Sequence, residues 1–241
     1  MARAVILFLF LAFLTPMKSF ADCRNIGFFV LRSSAVEEKT YTPFSESDCI
    51  REGELAFGDI DYNPLTANQQ RDLDNMVGLI KELSVRATRG IVVLAYSETG
   101  KFAAKLAALD AQVKGLFLMD PVDGTPPFSS PKKFPVFLDE KFPTLTIPTV
   151  VMESELGPQF KRLGHSCVPE NMGPDRFYKH ISPDSLKRVF LKGFGHADFL
   201  LRRGFNLVEL MCGTGIYPKE DAFAVVLEEW KAFVDHMQGL L

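Results

Sequence analysis

The chain has 241 residues, 47% of them hydrophobic and 24% charged, a balance typical of one globular domain. A chain of this length buries a substantial core without structural metals or a dense set of disulfides. The net charge is −3 with acidic and basic residues intermixed, so we expect no nucleic-acid partner.

The N-terminal residues have the pattern of a cleaved signal peptide. A basic residue precedes an apolar run at 5–14, and Ser19 and Ala21 have the small-residue spacing that signal peptidase recognises. The apolar run is shorter than the about 20 residues that a permanent membrane anchor needs. We therefore predict a signal peptide at 1–21, a single domain at 22–241 and entry into the secretory pathway. A slightly earlier cut would expose a phenylalanine, as in the bipartite leaders of algae with secondary plastids, so plastid routing is the alternative.

Short apolar runs alternate with helical patterns along the rest of the chain. In chain order, the patterns predict strands at 26–31 and 55–60, a helix at 67–84, a strand at 90–94, a helix at 101–109, strands at 115–119, 149–152 and 189–191, and a closing helix with an apolar stripe from Phe223 to Met237. Strands that alternate with helices predict an α/β fold, in which a mostly parallel sheet carries helices on both faces.

Three polar residues follow predicted strands, where a parallel sheet gathers its functional groups. Ser97, Asp120 and His196 come at or just after the ends of different strands. The turn around Ser97 leads from a strand into a helix, and the chain order of Ser, acid and His is that of the α/β-hydrolase fold. We therefore predict this fold, with Ser97 as the nucleophile, Asp120 as the acid and His196 as the base.

Some of these assignments have alternatives. Asp120 precedes a proline, and Asp-Pro favours a turn without any catalytic role, so Asp123 and Asp139 are further candidates for the acid. Asp198 is a candidate for supporting the loop around His196. The turn around the nucleophile also departs from G-x-S-x-G, because alanine and threonine replace its two glycines.

The segment at 121–148 contains seven prolines and four phenylalanines. Prolines at this density exclude a long helix or a central strand, so we predict a rigid apolar loop over the top of the sheet. Phe128, Phe134 and Phe137 are the predicted substrate-binding residues of this loop.

Four cysteines follow the predicted cleavage site, and an even number in an exported chain favours disulfide bonds. Three pairings are open, and proximity along the chain favours Cys23 with Cys49 and Cys167 with Cys212. The spacings match no zinc motif, so we expect no metal site.

The predicted site motifs resemble those of the chlorophyllases, which are serine esterases of plants and algae. The sequence at 97–101 is similar to the family's Ser-Arg-Gly-Gly-Lys, 120–124 to its D-P-V-x-G, and 195–200 to its G-H-x-D-x-L. The resemblance covers roughly 90–213. It implies acyl transfer through the serine, with the aspartate and histidine as acid and base and with no metal or organic cofactor.

Two departures from the family concern the oxyanion hole. The family's strand-then-His-Gly segment corresponds here to residues 31–34, and the backbone N–H of Arg32 or Ser33 is the predicted second donor beside that of Glu98. Glu98 also replaces an arginine, which brings a negative charge close to a developing oxyanion.

The resemblance implies hydrolysis of the phytyl ester of chlorophyll to chlorophyllide and phytol, with the apolar loop sheltering the long chain. One alternative is a carboxylesterase or lipase that acts on another hydrophobic ester. A second alternative is a pseudo-hydrolase that binds pigment or lipid. The altered turn around Ser97, the nucleophile elbow, favours this alternative. The expected partner is a hydrophobic ester, with transient contact at a membrane surface.

Overall fold

The computed structural model describes residues 26–33, 58–62, 69–85, 87–124, 135–159, 166–200, 209 and 212–241. The predicted signal peptide at 1–21, the Cys23–Cys49 pair, Phe128 and Phe134 lie outside these ranges, so they stay predictions. Within the described ranges the strands are β1 (Ile26–Ser33), β2 (Gly58–Tyr62), β3 (Gly90–Tyr96), β4 (Val113–Met119), β5 (Thr149–Ser154) and β6 (Leu186–Leu191), and the helices are α1 (Gln69–Ser84), α2 (Thr99–Leu109), α3 (Pro174–Tyr178) and α4 (Lys219–Leu240).

The strands form one six-stranded sheet in the order β2-β1-β3-β4-β5-β6, and all neighbours are parallel. This confirms the predicted α/β class. β3 and β4 lie at the centre, with β1 and β5 on either side of them. Because all strands run the same way, their carboxyl ends meet at one edge of the sheet, which is where loops in such folds form their sites.

Helices cover both faces of the sheet, as the alternating pattern predicts. Side chains of β3 alternate between the faces: Val93 packs in the cluster that includes α1 and α2, and Leu94 packs in the cluster with α4. The predicted apolar stripe of α4 lies on the second face, where Trp230 is buried. No helix in the described ranges has a stretch long and apolar enough to cross a membrane.

Several element boundaries differ from the sequence-based predictions. β3 continues to Tyr96 and α2 begins at Thr99, so the connection between them is two residues shorter on each side than the apolar patterns predict. β2 extends to Tyr62, two residues beyond the predicted end, because its backbone pairs with the end of β1 through Ser33. The short helix α3 was not predicted, and a proline at its first position begins it.

Phe117 is the central aromatic residue of the second face. Its ring lies 5.2 Å from that of Trp230 and 5.9 Å from that of Phe233, between centroids, and its side chain is fully buried. We expect Phe117→Ala to lower the free energy of unfolding by about 3–5 kcal/mol, because it removes buried area and leaves a cavity. Urea unfolding measures the loss. Leu109→Ala is the control, since Leu109 is 56% exposed and should change stability by less than about 0.5 kcal/mol. Equal effects of the two substitutions would contradict this account of the core.

Candidate active site

Ser97 lies in the sharp turn between β3 and α2. Its backbone has φ 57°, a left-handed conformation that non-glycine residues adopt at a cost. The turn is held from the neighbouring strand: the Ser97 N–H donates to the Met119 carbonyl at 3.0 Å, and the Val122 N–H donates to the Ser97 carbonyl at 2.9 Å. These bonds continue the β3–β4 pairing past the end of the sheet and fix where the Ser97 side chain emerges.

The residues that replace the elbow's usual pattern have specific contacts. The Thr99 hydroxyl accepts the Tyr96 N–H at 3.0 Å and donates toward the carbonyls of Tyr96 and Leu31, at 2.8 and 3.2 Å. Thr99 therefore ties the elbow to β1, a contact that glycine could not make. The closest approach falls one residue later, at Gly100, where a Cβ would lie 2.5 Å from the Cβ of Pro121.

Asp120 follows β4 directly and is fully buried. Its N–H donates to the Met152 carbonyl at 2.8 Å, so its position is also set by pairing with the next strand. Ser154, at the end of β5, donates its N–H to Oδ1 of Asp120 at 3.1 Å and its hydroxyl to Oδ2 at 2.6 Å. A buried carboxylate needs such partners, because burial without them is costly.

His196 joins the other two predicted catalytic residues. Its Nδ1 lies 2.7 Å from Asp120 Oδ2, and its Nε2 lies 2.9 Å from Ser97 Oγ. Asp120 lies 76 positions and Ser97 lies 99 positions before His196 in the chain. The three side chains nevertheless form one continuous line of hydrogen bonds. Its arrangement is that of a nucleophile, a base and the group that orients the base.

Sequence reasoning missed two residues that hold this line. The Tyr96 hydroxyl donates to the His196 carbonyl at 2.9 Å, and the two rings stack with centroids 5.0 Å apart. Ser154 supports Asp120 as described above. The available signals were weak: Tyr96 immediately precedes Ser97, and Ser154 is a polar residue at the end of an apolar strand.

Asp198 is used in the loop of His196. Its Oδ2 accepts the N–H groups of Gly195 at 2.7 Å and Gly215 at 2.6 Å, which joins the loop to the segment before α4. Burial raises the pKa of Asp198, while these two N–H donors oppose the rise. The two segments touch so closely that a Cβ on Gly215 would lie 2.1 Å from the Gly193 carbonyl oxygen.

Cys167 and Cys212 form a disulfide bond, which is the pairing that proximity favours. Cys212 adjoins Gly213, whose carbonyl accepts the Ala197 N–H at 3.2 Å beside His196. On the other side, the hydroxyl of Ser166, next to Cys167, donates to the Gly157 carbonyl at 2.9 Å, and a Cβ on Gly157 would lie 3.0 Å from Asp120 Oδ2. The disulfide therefore joins the segment that backs the acid to the segment that backs the histidine.

The alternative acids have other contacts. The buried Asp123 carboxylate accepts the N–H groups of Phe137 and Leu138 at 2.8 and 2.9 Å and pairs with Arg176 at 2.8 Å. Asp139 is exposed and accepts the Lys141 N–H at 3.0 Å. Asp123 thus fastens the end of the proline-rich segment, and Asp120 is the acid that contacts His196.

The predicted oxyanion donors lie around the elbow. Glu98 follows Ser97 and directly precedes the first turn of α2, where helix N–H groups have no partner inside the helix. Arg32 and Ser33 end β1, which neighbours β3 with Leu31 opposite Ala95, so their backbone continues alongside the elbow. The structure thus brings the three predicted donor residues to the same edge as Ser97.

Phe137 is the one predicted substrate-binding residue that the structure describes. It is half-buried and its ring meets that of Phe102 edge-on, 5.3 Å between centroids. The ammonium group of the buried Lys101 lies 5.5 Å from the Phe137 ring and donates to the carbonyls of Gly124 and Pro135 at 3.0 and 3.1 Å. In the described ranges, no group of three or more metal-binding side chains is close enough to hold an ion.

The parallel sheet and the elbow at its carboxyl edge define an α/β-hydrolase fold. A family model for chlorophyllase matches residues 76–236, more than half of the chain. The chain therefore belongs to the chlorophyllase family and is a carboxylic ester hydrolase. No curated protein sequence matches the chain significantly.

Solved structures support the fold assignment. A soluble variant of monoglyceride lipase from Saccharomyces cerevisiae has a TM-score of 0.56 and 9% identity, over 88% of this chain and 86% of the lipase. Est1E from Butyrivibrio proteoclasticus has a TM-score of 0.56 and 14% identity, over 89% of each chain. Thermogutta terrifontis esterase 2, solved after phosphoramylation by tabun, has a TM-score of 0.54 and 15% identity, over 92% of this chain and 86% of the esterase.

The Cys167–Cys212 bond closes a loop with a sequence separation of 45. We expect the double variant Cys167→Ser, Cys212→Ser to lose about 4 kcal/mol of unfolding free energy, since the open chain gains conformational freedom when unfolded. Urea unfolding of the oxidised protein and the variant measures this. In a background that carries Cys23→Ser and Cys49→Ser, which removes the other predicted pair, reduction by dithiothreitol should give the same shift, and the variant without Cys167 and Cys212 should not respond further. Unchanged stability after both treatments would contradict a structural role for the bond.

Proposed function

We propose that the protein hydrolyses the phytyl ester of chlorophyll through Ser97, His196 and Asp120, giving chlorophyllide and phytol. The observation that carries the proposal is the unbroken line from Ser97 Oγ through His196 to the buried Asp120 carboxylate, at 2.9 and 2.7 Å. Membership of the chlorophyllase family supports the choice of ester.

Acylation begins with attack of Ser97 Oγ on the ester carbonyl carbon, while His196 Nε2 accepts the hydroxyl proton. Asp120 holds the imidazole through Nδ1 and stabilises the imidazolium that forms. The backbone N–H of Glu98, with one from Arg32 or Ser33, donates to the oxyanion. The tetrahedral intermediate then collapses, its bond to phytol breaks, and the phytol oxygen takes the proton from His196.

Deacylation repeats these steps with water. His196 accepts a proton from a water molecule while the oxygen of that water attacks the carbonyl carbon of the acyl-enzyme. Collapse of the second intermediate releases chlorophyllide and returns the proton to Ser97. Because the cycle is acyl transfer to a side-chain oxygen and then to water, it consumes no redox equivalent or organic cofactor.

The apolar loop supports a substrate with a long isoprenoid chain. Its described end is fastened by Asp123, whose carboxylate holds Phe137 and Leu138, and Phe137 rests on Phe102 of α2. We expect the partly exposed Phe137 to contact the long hydrophobic chain, because the triad alone would accept many esters. Since chlorophyll resides in membranes, the proposal includes transient contact with a membrane surface.

The decisive experiment compares the purified protein with Ser97→Ala on detergent-dispersed chlorophyll a and on a soluble p-nitrophenyl ester. We expect chlorophyllide, resolved from chlorophyll by reversed-phase chromatography, and a fall of at least about 10³-fold in the variant, because no nucleophile remains. Circular dichroism of the variant verifies that it is folded.

The alternatives give different results in this experiment. Turnover of the p-nitrophenyl ester alone, lost in Ser97→Ala, would identify a carboxylesterase or lipase for another hydrophobic ester. Background rates for both proteins, with retained binding of chlorophyll, would identify a pseudo-hydrolase.

Ser154 offers a test of the support behind Asp120. We expect Ser154→Ala to lower kcat by about tenfold, because a hydrogen bond to a charged group contributes about 1.5 kcal/mol or more and here orients the acid. The matched control is Ser185→Ala, which removes a hydroxyl bonded to the Thr146 carbonyl at the opposite edge of the sheet. Steady-state kinetics on the p-nitrophenyl ester compare them. Equal rates in the two variants would remove Ser154 from the proposed machinery.

A further inference from the structure

Glu98 is half-buried beside the proposed nucleophile, and one of its two carboxyl oxygens has no hydrogen-bond partner among the described residues. Its Oε2 atom is shielded from solvent and no polar atom of the described residues bonds to it. Unpartnered buried polar atoms are rare in folded proteins, and each one calls for an explanation. Because Glu98 directly follows Ser97, its charge acts on the position where the oxyanion forms.

Among the described residues, the cation that attracts the Glu98 carboxyl has its hydrogen bonds elsewhere. Lys101, on the first turn of α2, is fully buried, and its ammonium group donates to the carbonyls of Gly124 and Pro135. Its charge attracts both Glu98 and Asp123. Asp123 in turn pairs with Arg176 from α3 and accepts two backbone N–H groups. Lys101 therefore attracts the Glu98 carboxyl through space, while the hydrogen bonds of Lys101 go to the loop carbonyls.

This environment favours a neutral carboxyl group. Burial raises the pKa of Glu98 to about 7, with the attraction of Lys101 opposing the rise. Burial likewise lowers the pKa of Lys101 to about 8, against the attraction of Glu98 and Asp123. Near neutral pH, the protonated and the deprotonated form of the Glu98 carboxyl are therefore both populated.

We propose that Glu98 is a protonation gate for the Ser97 reaction: the enzyme turns over while this carboxyl is neutral, and loss of its proton slows attack on the ester. The physical reason is charge. Attack creates an oxyanion beside the Glu98 N–H, and an anionic carboxylate on the same residue repels it in a water-poor site, whereas a neutral carboxylic acid does not. The inference rests on the proposed role of Ser97.

The charged and titratable groups around Glu98 set the direction of the pH dependence. In the part of the chain that the structure describes, they are Lys101 on α2, Asp123 with Arg176 behind it, and His196 across the proposed site. Deprotonation of Glu98 lowers the rate as the pH rises through its pKa. The activity therefore falls on the alkaline side of the profile, and Glu98 is responsible for that fall.

The test measures kcat/KM on a soluble p-nitrophenyl ester between pH 5 and 9 for the unmodified protein and Glu98→Gln. The amide keeps the size of the side chain and the backbone N–H but cannot ionise. We expect the ratio of activity at pH 8 to that at pH 6 to be about tenfold higher in Glu98→Gln, the factor by which a group with a pKa near 7 loses its proton over that interval. Glu228→Gln, the same change at an exposed position of α4, should keep the unmodified profile.

Three results would overturn the gate. They are an unchanged alkaline fall in Glu98→Gln, a folded but inactive Glu98→Gln at every pH, and an equal loss of the alkaline fall in Glu228→Gln. The last would mean that total charge, rather than this carboxyl, sets the profile.

A second measurement separates the gate from the proposed function. The carboxyl carbons of ¹³C-labelled glutamates are followed by NMR through a pH titration of Ser97→Ala, and the Glu98 signal is assigned by its loss on adding Glu98→Gln. A midpoint near neutral pH supports the gate, and one in the ordinary acidic range of glutamate overturns it. If Ser97→Ala instead retains full esterase activity, the role of Ser97 fails, whatever the titration of Glu98 shows.

Discussion

The site depends on the burial of one charged contact, between Asp120 and His196. Asp120 is fully buried, and a carboxylate is stable there only because His196, the Ser154 hydroxyl and a backbone N–H all meet it. Removal of one partner would leave buried charge without compensation. The surrounding structure therefore has to place His196 and both donors of Ser154 within hydrogen-bonding distance of Asp120.

Parallel strand pairing positions Ser97, Asp120 and Ser154 next to one another. The bonds that continue past the strand ends, from Ser97 to Met119 and from Asp120 to Met152, align the ends of β3, β4 and β5 side by side. Their positions are thus set by backbone geometry rather than by the side chains themselves. The histidine has no such register to a central strand, and its loop is held instead by Asp198, Tyr96 and the Cys167–Cys212 bond.

The elbow forms even though its sequence departs from the family pattern. Thr99 supplies a hydroxyl that ties the turn to β1, and the close approach moves to Gly100. Glu98 is different, because the buried Oε2 atom of its carboxyl group has no hydrogen-bond partner among the described residues. Stability alone does not account for a residue that burial penalises in this way, so its place beside the nucleophile points to the reaction.

The sequence by itself determined the order of elements and the three side chains of the site. Apolar runs and helical periodicity are local properties, and Ser97, Asp120 and His196 were identifiable because each follows a strand and parallel strands share one edge. Proximity along the chain also indicated the Cys167–Cys212 pairing. Only the tertiary structure decided which acid contacts His196, since Asp120 and Asp123 are three positions apart and differ in what surrounds them. It also decided the roles of Tyr96 and Ser154 and the protonation of Glu98, because hydrogen bonds between distant segments and the loss of solvent arise only when the chain has folded.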